Sequence, residues 1–255
     1  MRKIGINLHA AKGLTDEEYI SQMAQLGFDA CFSGVMEPAD QIKVADLLAK
    51  HGIAYETLHA PFDGINAMWL EDESGDTMLS RLAAAVDNCK LAGVPIAVVH
   101  LSSGDNAPTI TDIGRKRFES LVEHAAKNGV KIAFENQRKL ANLSWAMETF
   151  DSSVAGFCWD CGHESCFTPG REYMPLFGNR LICTHIHDNH GIYNGDDHMI
   201  PFEATKDFDR VAQHIRSSGY KGSLMLEVFS KDEPYEFLQR AAAAVKKLRV
   251  MVDGE

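Results

Sequence analysis

Histidines and carboxylates recur in this sequence at positions that suit a shared metal ion or a proton-transfer site. Eight of the 11 histidines (His9, His59, His100, His163, His185, His187, His190 and His198) lie at or just after the end of a short apolar run. His51, His124 and His214 fall within amphipathic stretches instead. Three acids close apolar runs in the same way. Glu135 ends Lys131-Ile-Ala-Phe-Glu135, Asp160 ends Gly156-Phe-Cys-Trp-Asp160, and Glu227 ends Leu224-Met-Leu-Glu227. Side chains alternate along a strand, so these acids share a face with Ala133, Cys158 and Met225, and His185 shares one with Cys183. The opposite faces carry Ile132 and Phe134, Phe157 and Trp159, Leu224 and Leu226, and Ile182 and Ile186, which suit packing against helices. Glu135, Asp160, His185 and Glu227 therefore aim at a common interior. Three buried carboxylates would repel one another at a cost of several kcal/mol each, and a divalent cation is the natural compensation. Acids plus imidazole suit manganese, zinc, cobalt or magnesium and disfavour copper(I) or iron–sulfur chemistry. Pairing of each acid with a base is the competing explanation, but strand ends carry few bases, with Arg138 and Arg171 the nearest in sequence.

The elements that must hold these residues alternate from end to end. Apolar runs at Lys3–Leu8, Phe28–Val35, Ala54–His59, Ile96–Leu101, Lys131–Asn136, Val154–Asp160, Leu181–Asp188 and Ser223–Val228 read as strands. Stretches with 3.6-residue periodicity separate them, among them Tyr19–Leu26, Ile42–Lys50, Met78–Leu91, Phe118–Lys127, Phe208–Ser217 and the closing Tyr235–Met251. Five of these end on Gly27, Gly52, Gly93, Gly129 and Gly219, the mark of a left-handed helix stop. Eight β/α units in 255 residues predict an α/β fold, a single (β/α)8 TIM barrel spanning 1–255 with a metal site at its C-terminal mouth. An open doubly wound sheet would announce itself with a glycine-rich loop after an early strand, and Leu8-His-Ala-Ala-Lys-Gly13 is not one.

Composition narrows the function. With 36 acids against 25 bases and a net charge of −11, a broad nucleic-acid surface is disfavoured. No apolar run is long enough to cross a bilayer, and a cytoplasmic location without membrane partners is expected. Cys158-Trp-Asp-Cys161 resembles a redox pair, but such a motif should open a helix and this one continues a strand, so reduced buried thiols are expected.

In order along the chain stand His59-Ala-Pro61, His100, Glu135-Asn136, Asp160-Cys-Gly-His163, His185-Ile-His-Asp188, Asp196-Asp-His198-Met-Ile-Pro201 and Glu227. These pieces resemble the xylose-isomerase-like barrel superfamily, which includes sugar isomerases and epimerases and endonuclease-IV-type enzymes. The resemblance implies Glu135, Asp160, His185 and Glu227 as ligands of one divalent metal ion, with His187 an alternative to His185. It implies His59, His100, His163, His187, Asp196 and His198 as substrate-binding residues. The family's glycine-containing turn after Pro201 is absent here, where Phe202-Glu-Ala-Thr-Lys206 stands.

The activity so implied is isomerisation or epimerisation of a sugar, sugar phosphate or keto-polyol. A proton would move through a metal-stabilised enediolate, with Glu135 and Glu227 as paired acid and base; one expected metal favours this over hydride shift. Phe62, Trp69 and Trp159 could wall a sugar, although Trp159 reads more simply as core. A phosphorylated substrate would call on Arg138, Lys139 or Arg171. One alternative is an endonuclease-IV-type phosphodiesterase acting on abasic DNA, with His59, His100, His163, Asp196 and His198 as further ligands. Acidic charge and short loops weigh against it. A lyase or dehydratase would use the same enolate chemistry, and a non-catalytic polyol-binding barrel would lack the paired glutamates. A homodimer is expected from barrels of this size.

Overall fold

A computed structural model, describing residues 1–254, arranges the strands as β1 Ile4–Asn7, β2 Ala30–Gly34, β3 Ala54–His59, β4 Ile96–His100, β5 Lys131–Glu135, β6 Ala155–Asp160, β7 Leu181–His185 and β8 Leu224–Leu226. Strands β1 to β7 pair in parallel with one another in chain order, and β1 also pairs in parallel with β8. Between β7 and β8 the Ile186 N–H donates to the Met225 carbonyl at 2.9 Å, and the Glu227 N–H to the Ile186 carbonyl at 3.1 Å. That closes the ring and removes the edges an open sheet would expose. Several strands are shorter than the apolar runs; after His185, for example, Asp188 bridges Met199 in the following loop.

Helices surround the ring: α1 Asp16–Gln25, α2 Pro38–Lys50, α3 Glu73–Ala92, α4 Asp112–Lys127, α5 Leu140–Thr149, α6 Cys161–Cys166, α7 Met174–Phe177, α8 Phe208–Ser218 and α9 Pro234–Asp253. Thr15 and Glu18 form a capping box at α1, while Asp72, Thr111 and Asp207 cap α3, α4 and α8. Gly93 and Gly219, with φ of 69° and 74°, stop α3 and α8 in the left-handed conformation that a β-carbon disfavours. No described helix is long and apolar enough to cross a membrane.

Below the acids the lumen is filled by two small apolar clusters. Val98, Ala133, Cys158 and Cys183 pack on one side, and Ala30, Phe32 and Met225 on the other. A β-carbon on Gly5 would stand 2.6 Å from Met225 Sδ, so glycine there lets the methionine fill the barrel. Ile132, Phe134, Phe157, Trp159, Ile186, Leu224 and Leu226 face the helices as expected, within the main core. Ile182 does not. A register shift at Phe157/Cys158 and the missing side chain of Gly156 let it lean over the lumen cluster.

All six cysteines are free and buried. Contrary to the expectation that Cys158-Trp-Asp-Cys161 only continues a strand, Cys161 opens a helix, α6, directly after β6. Burial nevertheless pushes its thiol up to about 12 and raises that of Cys158 well above the ordinary thiol range, which leaves no reactive thiolate at neutral pH.

One helix cation is structural. Arg117 on α4 is 5% exposed and donates to the Met68, Leu70 and Asp72 carbonyls at 3.2, 2.6 and 3.0 Å, tying down the 3-10 turn Ile65–Trp69. Arg117→Met should destabilise the fold by about 3–5 kcal/mol, since each buried carbonyl left unpaired costs about 1–3 kcal/mol. Urea unfolding measures this, and a loss below about 1 kcal/mol would remove the role.

Candidate metal centre

Glu135 stands at the middle of the barrel mouth, 1% exposed at the end of β5. Its Oε2 lies 2.9 Å from His100 Nε2 and 3.2 Å from His59 Nε2. Its Oε1 lies 3.4 Å from His163 Nδ1 and 3.5 Å from His185 Nδ1. Glu227, just past β8, brings Oε2 to 3.0 Å from that same His185 nitrogen. Asp160 ends β6 and caps α6, accepting the His163 backbone N–H on Oδ1 at 2.7 Å, with His187 Nε2 3.0 Å from the same oxygen.

Donor atoms of Glu135, Asp160, His185 and Glu227 all fall within 4.8 Å of one another. The same holds for His59, His100 and Glu135, and for His163, His187, Asp196 and His198. The ten residues singled out in the sequence therefore converge, and it is His185 rather than His187 that joins the three acids. His9 and His190 do not take part. His9 pairs with Asp16 at 2.6 Å and His190 with Asp197 at 3.1 Å, both on the surface.

Local chemistry explains the convergence. Asn136 clamps β5 to β6, donating to the Asp160 carbonyl and accepting its N–H, each at 2.8 Å. A β-carbon on Gly162 would stand 1.9 Å from His187 Cε1, so only glycine lets α6 start against that ring. Asp196 and His198 ride on the long segment 186–207, which departs from the short loops expected. Buried Asp188 holds that segment by accepting the N–H groups of Asn189, Ala204 and Lys206 at 2.7, 2.8 and 2.9 Å. His198 adopts a left-handed φ of 47°, and its Nδ1 lies 3.0 Å from the Glu227 carbonyl.

Burial opposes ionisation of Glu135, yet the His100 and His185 imidazoles hold its carboxyl well below the usual carboxylate range. Glu227 is held low by His185 against the same opposition, and Asp196 by His163 and His198. Burial likewise opposes protonation of the histidines. The carboxylates win at His163, pushed up to about 9, at His198, pushed up to about 10, and at His185. At His100 burial wins and its pKa falls.

The donor set fits a divalent cation. Glu135 Oε1, Asp160 Oδ2 and both ring nitrogens of His185 are buried without a hydrogen-bond partner. Such orphaned atoms are costly unless something binds them. Among the described residues the ion pairs of Glu135, Asp160 and Glu227 are with histidines alone, so no lysine or arginine neutralises them. Arg138, the nearest base in sequence, is held instead by Asp105 at 3.0 Å and Asn194 at 2.6 Å.

The family of xylose isomerase-like TIM barrels matches residues 20–252. The chain belongs to it. Uncharacterized protein y4fM of Sinorhizobium fredii is 29% identical over 187 residues, 66% of this chain and 58% of that protein. The chain thus spans less than two thirds of the length of the curated relatives it matches. The structure of 3-keto-D-glucoside 4-epimerase YcjR from E. coli aligns with a TM-score of 0.77 at 18% identity, covering 98% of this chain and 100% of that one. D-psicose 3-epimerase from Clostridium cellulolyticum aligns at 0.77 with 14% identity, covering 98% and 99%. At such identities the likeness is one of fold.

Three features of this xylose isomerase-like barrel escape a reading by motif. Gln137, 7% exposed, places Nε2 3.3 Å from His100 Nε2 and 3.2 Å from His163 Nδ1, bridging two ligand groups. Its place directly after Glu135-Asn136 was the available signal. Phe167 stacks on His163 with ring centres 4.5 Å apart, and the Arg138 guanidinium lies 3.6 Å from the centre of the Phe167 ring. Trp69 cannot wall a sugar. It is 1% exposed, packs against Phe118 and Trp145, and donates its indole N–H to the Leu101 carbonyl at 2.6 Å. Trp159, fully buried, is core, whereas Phe62 does stand at the mouth, 48% exposed.

Proposed function

We propose that this chain is a divalent-cation-dependent isomerase or epimerase of sugars. The observation that carries the reading is the approach of two carboxylates, Glu135 and Glu227, to one imidazole, 3.5 and 3.0 Å from His185 Nδ1. Glu135, Asp160, His185 and Glu227 would hold one manganese, zinc, cobalt or magnesium ion. A bound cation supplies Lewis-acid polarisation of a ketose carbonyl and offsets the negative charge that develops on it. One glutamate then takes the proton from the carbon beside the carbonyl, and the other returns a proton. Return to the opposite face of the same carbon inverts it, while return to the neighbouring carbon moves the carbonyl. His59, His100, His163, His187, Asp196 and His198 would orient the hydroxyls, the ring N–H groups donating and the Asp196 carboxylate accepting. The epimerases with which the fold aligns support this reading.

A second reading is phosphodiester hydrolysis on abasic DNA. The ligand groups His59–His100–Glu135 and His163–His187–Asp196–His198 favour it, since they could hold further cations beside the first. The net charge of −11 weighs against a duplex. Elemental analysis together with ketoses in deuterated water separates the two. The expected result is about one metal ion per chain and deuterium on the carbon beside the carbonyl. Two or three zinc ions per chain with cleavage of an abasic-site duplex would transfer the assignment. Net loss of water from the sugar would mark a dehydratase.

A further inference from the structure

We infer that the end of the substrate remote from the reacting carbons is apolar and uncharged, that of an unphosphorylated ketose with a deoxygenated terminal carbon. This deepens the isomerase or epimerase reading and rests on it. Beside the ligand cluster, at the ends of β1, β2, β3 and β8, lies a cavity of about 410 Å³. Leu8, Phe32, Val35, Pro61, Phe62 and Phe229 wall it, and it opens onto His59 and Glu227, so it is continuous with the proposed reaction site.

Its aromatic walls are built onto the site histidines. Phe32 stacks on His185 and Phe62 on His100, each with ring centres 4.6 Å apart, and Phe229 meets His198 edge-on at 5.2 Å. Val35, Phe62 and Phe229 are nevertheless 38%, 48% and 54% exposed. Large apolar side chains gathered round one opening mark a surface that awaits an apolar group.

Charge settles what that group is not. The ionisable side chains lining the cavity are His59, Asp63 and Glu227, with no lysine or arginine. A phosphate dianion there would meet the Asp63 carboxylate with no lysine or arginine side chain to neutralise it. The bases that a phosphate could have used are elsewhere: Arg138 is tied to Asp105 and Asn194, while Lys139 and Arg171 line separate clefts. Asn7 Nδ2, buried and without a partner, also belongs to a residue lining the cavity. It is a neutral donor and suits a hydroxyl nearer the reacting carbons.

Three ketohexoses that differ only at the terminal carbon (hydroxymethyl, methyl or phosphorylated) test this with the manganese-loaded protein. Calorimetry gives affinity, and deuterium uptake from the solvent gives reaction. The methyl-ended ketose should bind about tenfold more tightly than its hydroxylated parent and at least about a hundredfold more tightly than the phosphate ester. Phe229→Ala should erase the preference for the methyl end. Val35→Arg, at an exposed wall, should strengthen binding of the ester at least about tenfold. Equal or tighter binding of the ester by the unmodified chain overturns the inference, even if the ester exchanges deuterium and upholds the isomerase or epimerase reading. Preference for the methyl end without deuterium uptake upholds the pocket and removes that reading. Failure of all three to bind overturns both.

Discussion

Replacing Glu135 or Glu227 by glutamine should lower turnover by about 10²–10⁴-fold, the range contributed by a positioned acid or base. The amide keeps the shape of the carboxylate but neither takes nor gives a proton at neutral pH. The two variants should differ in a second respect. Glu135 contacts His59, His100, His163 and His185, whereas Glu227 contacts His185 alone through its carboxylate. Glu135→Gln should therefore lose more of its bound cation. Steady-state kinetics, metal analysis and circular dichroism on each variant check these outcomes. His51→Ala is the control, because His51 stands at the end of α2 and its ring pairs with the surface acid Glu17, at 3.4 Å. Near-normal turnover in both glutamine variants would remove the paired-glutamate mechanism.

Chelation should abolish activity and lower the melting temperature together. A cation present at a thousandfold excess over its Kd stabilises the folded state by about 4 kcal/mol, and stripping it withdraws that amount. Without a cation the carboxylates keep protons on His163 and His198, whose pKa values are pushed up to about 9 and about 10. A cation bound by Glu135, Asp160, His185 and Glu227 neutralises carboxylate charge that holds these protons and displaces the one that Glu227 and Glu135 favour on His185, so its uptake at neutral pH should release protons and its affinity should rise with pH. Thermal melts with and without chelator measure the first effect. Calorimetry in two buffers of different ionisation enthalpy measures the second. An unchanged melting temperature with no proton release would leave the cluster as a proton-linked histidine–carboxylate network.

What the sequence by itself determined was the part encoded locally. Strand alternation put Glu135, Asp160, His185 and Glu227 on one face, and glycines after the helices marked the returns, because side-chain direction and left-handed φ depend on a few consecutive residues. Ring closure then had to bring those strand ends to one mouth, since a barrel of parallel strands has all its C-terminal ends on one side. Tertiary structure alone decided the rest. His185 and His187 share a strand face, and only the register at β6–β7 and the α6 start at Gly162 placed one among the acids and the other beside Asp160 and Asp196. The path of segment 186–207, held by Asp188, carried Asp196 and His198 back over the mouth. Trp69 is withheld from a sugar because its turn packs against α4, and Phe32 on β2 stacks on His185 at the mouth. Such contacts join residues far apart in the chain, and no short window of sequence encodes the distance between them.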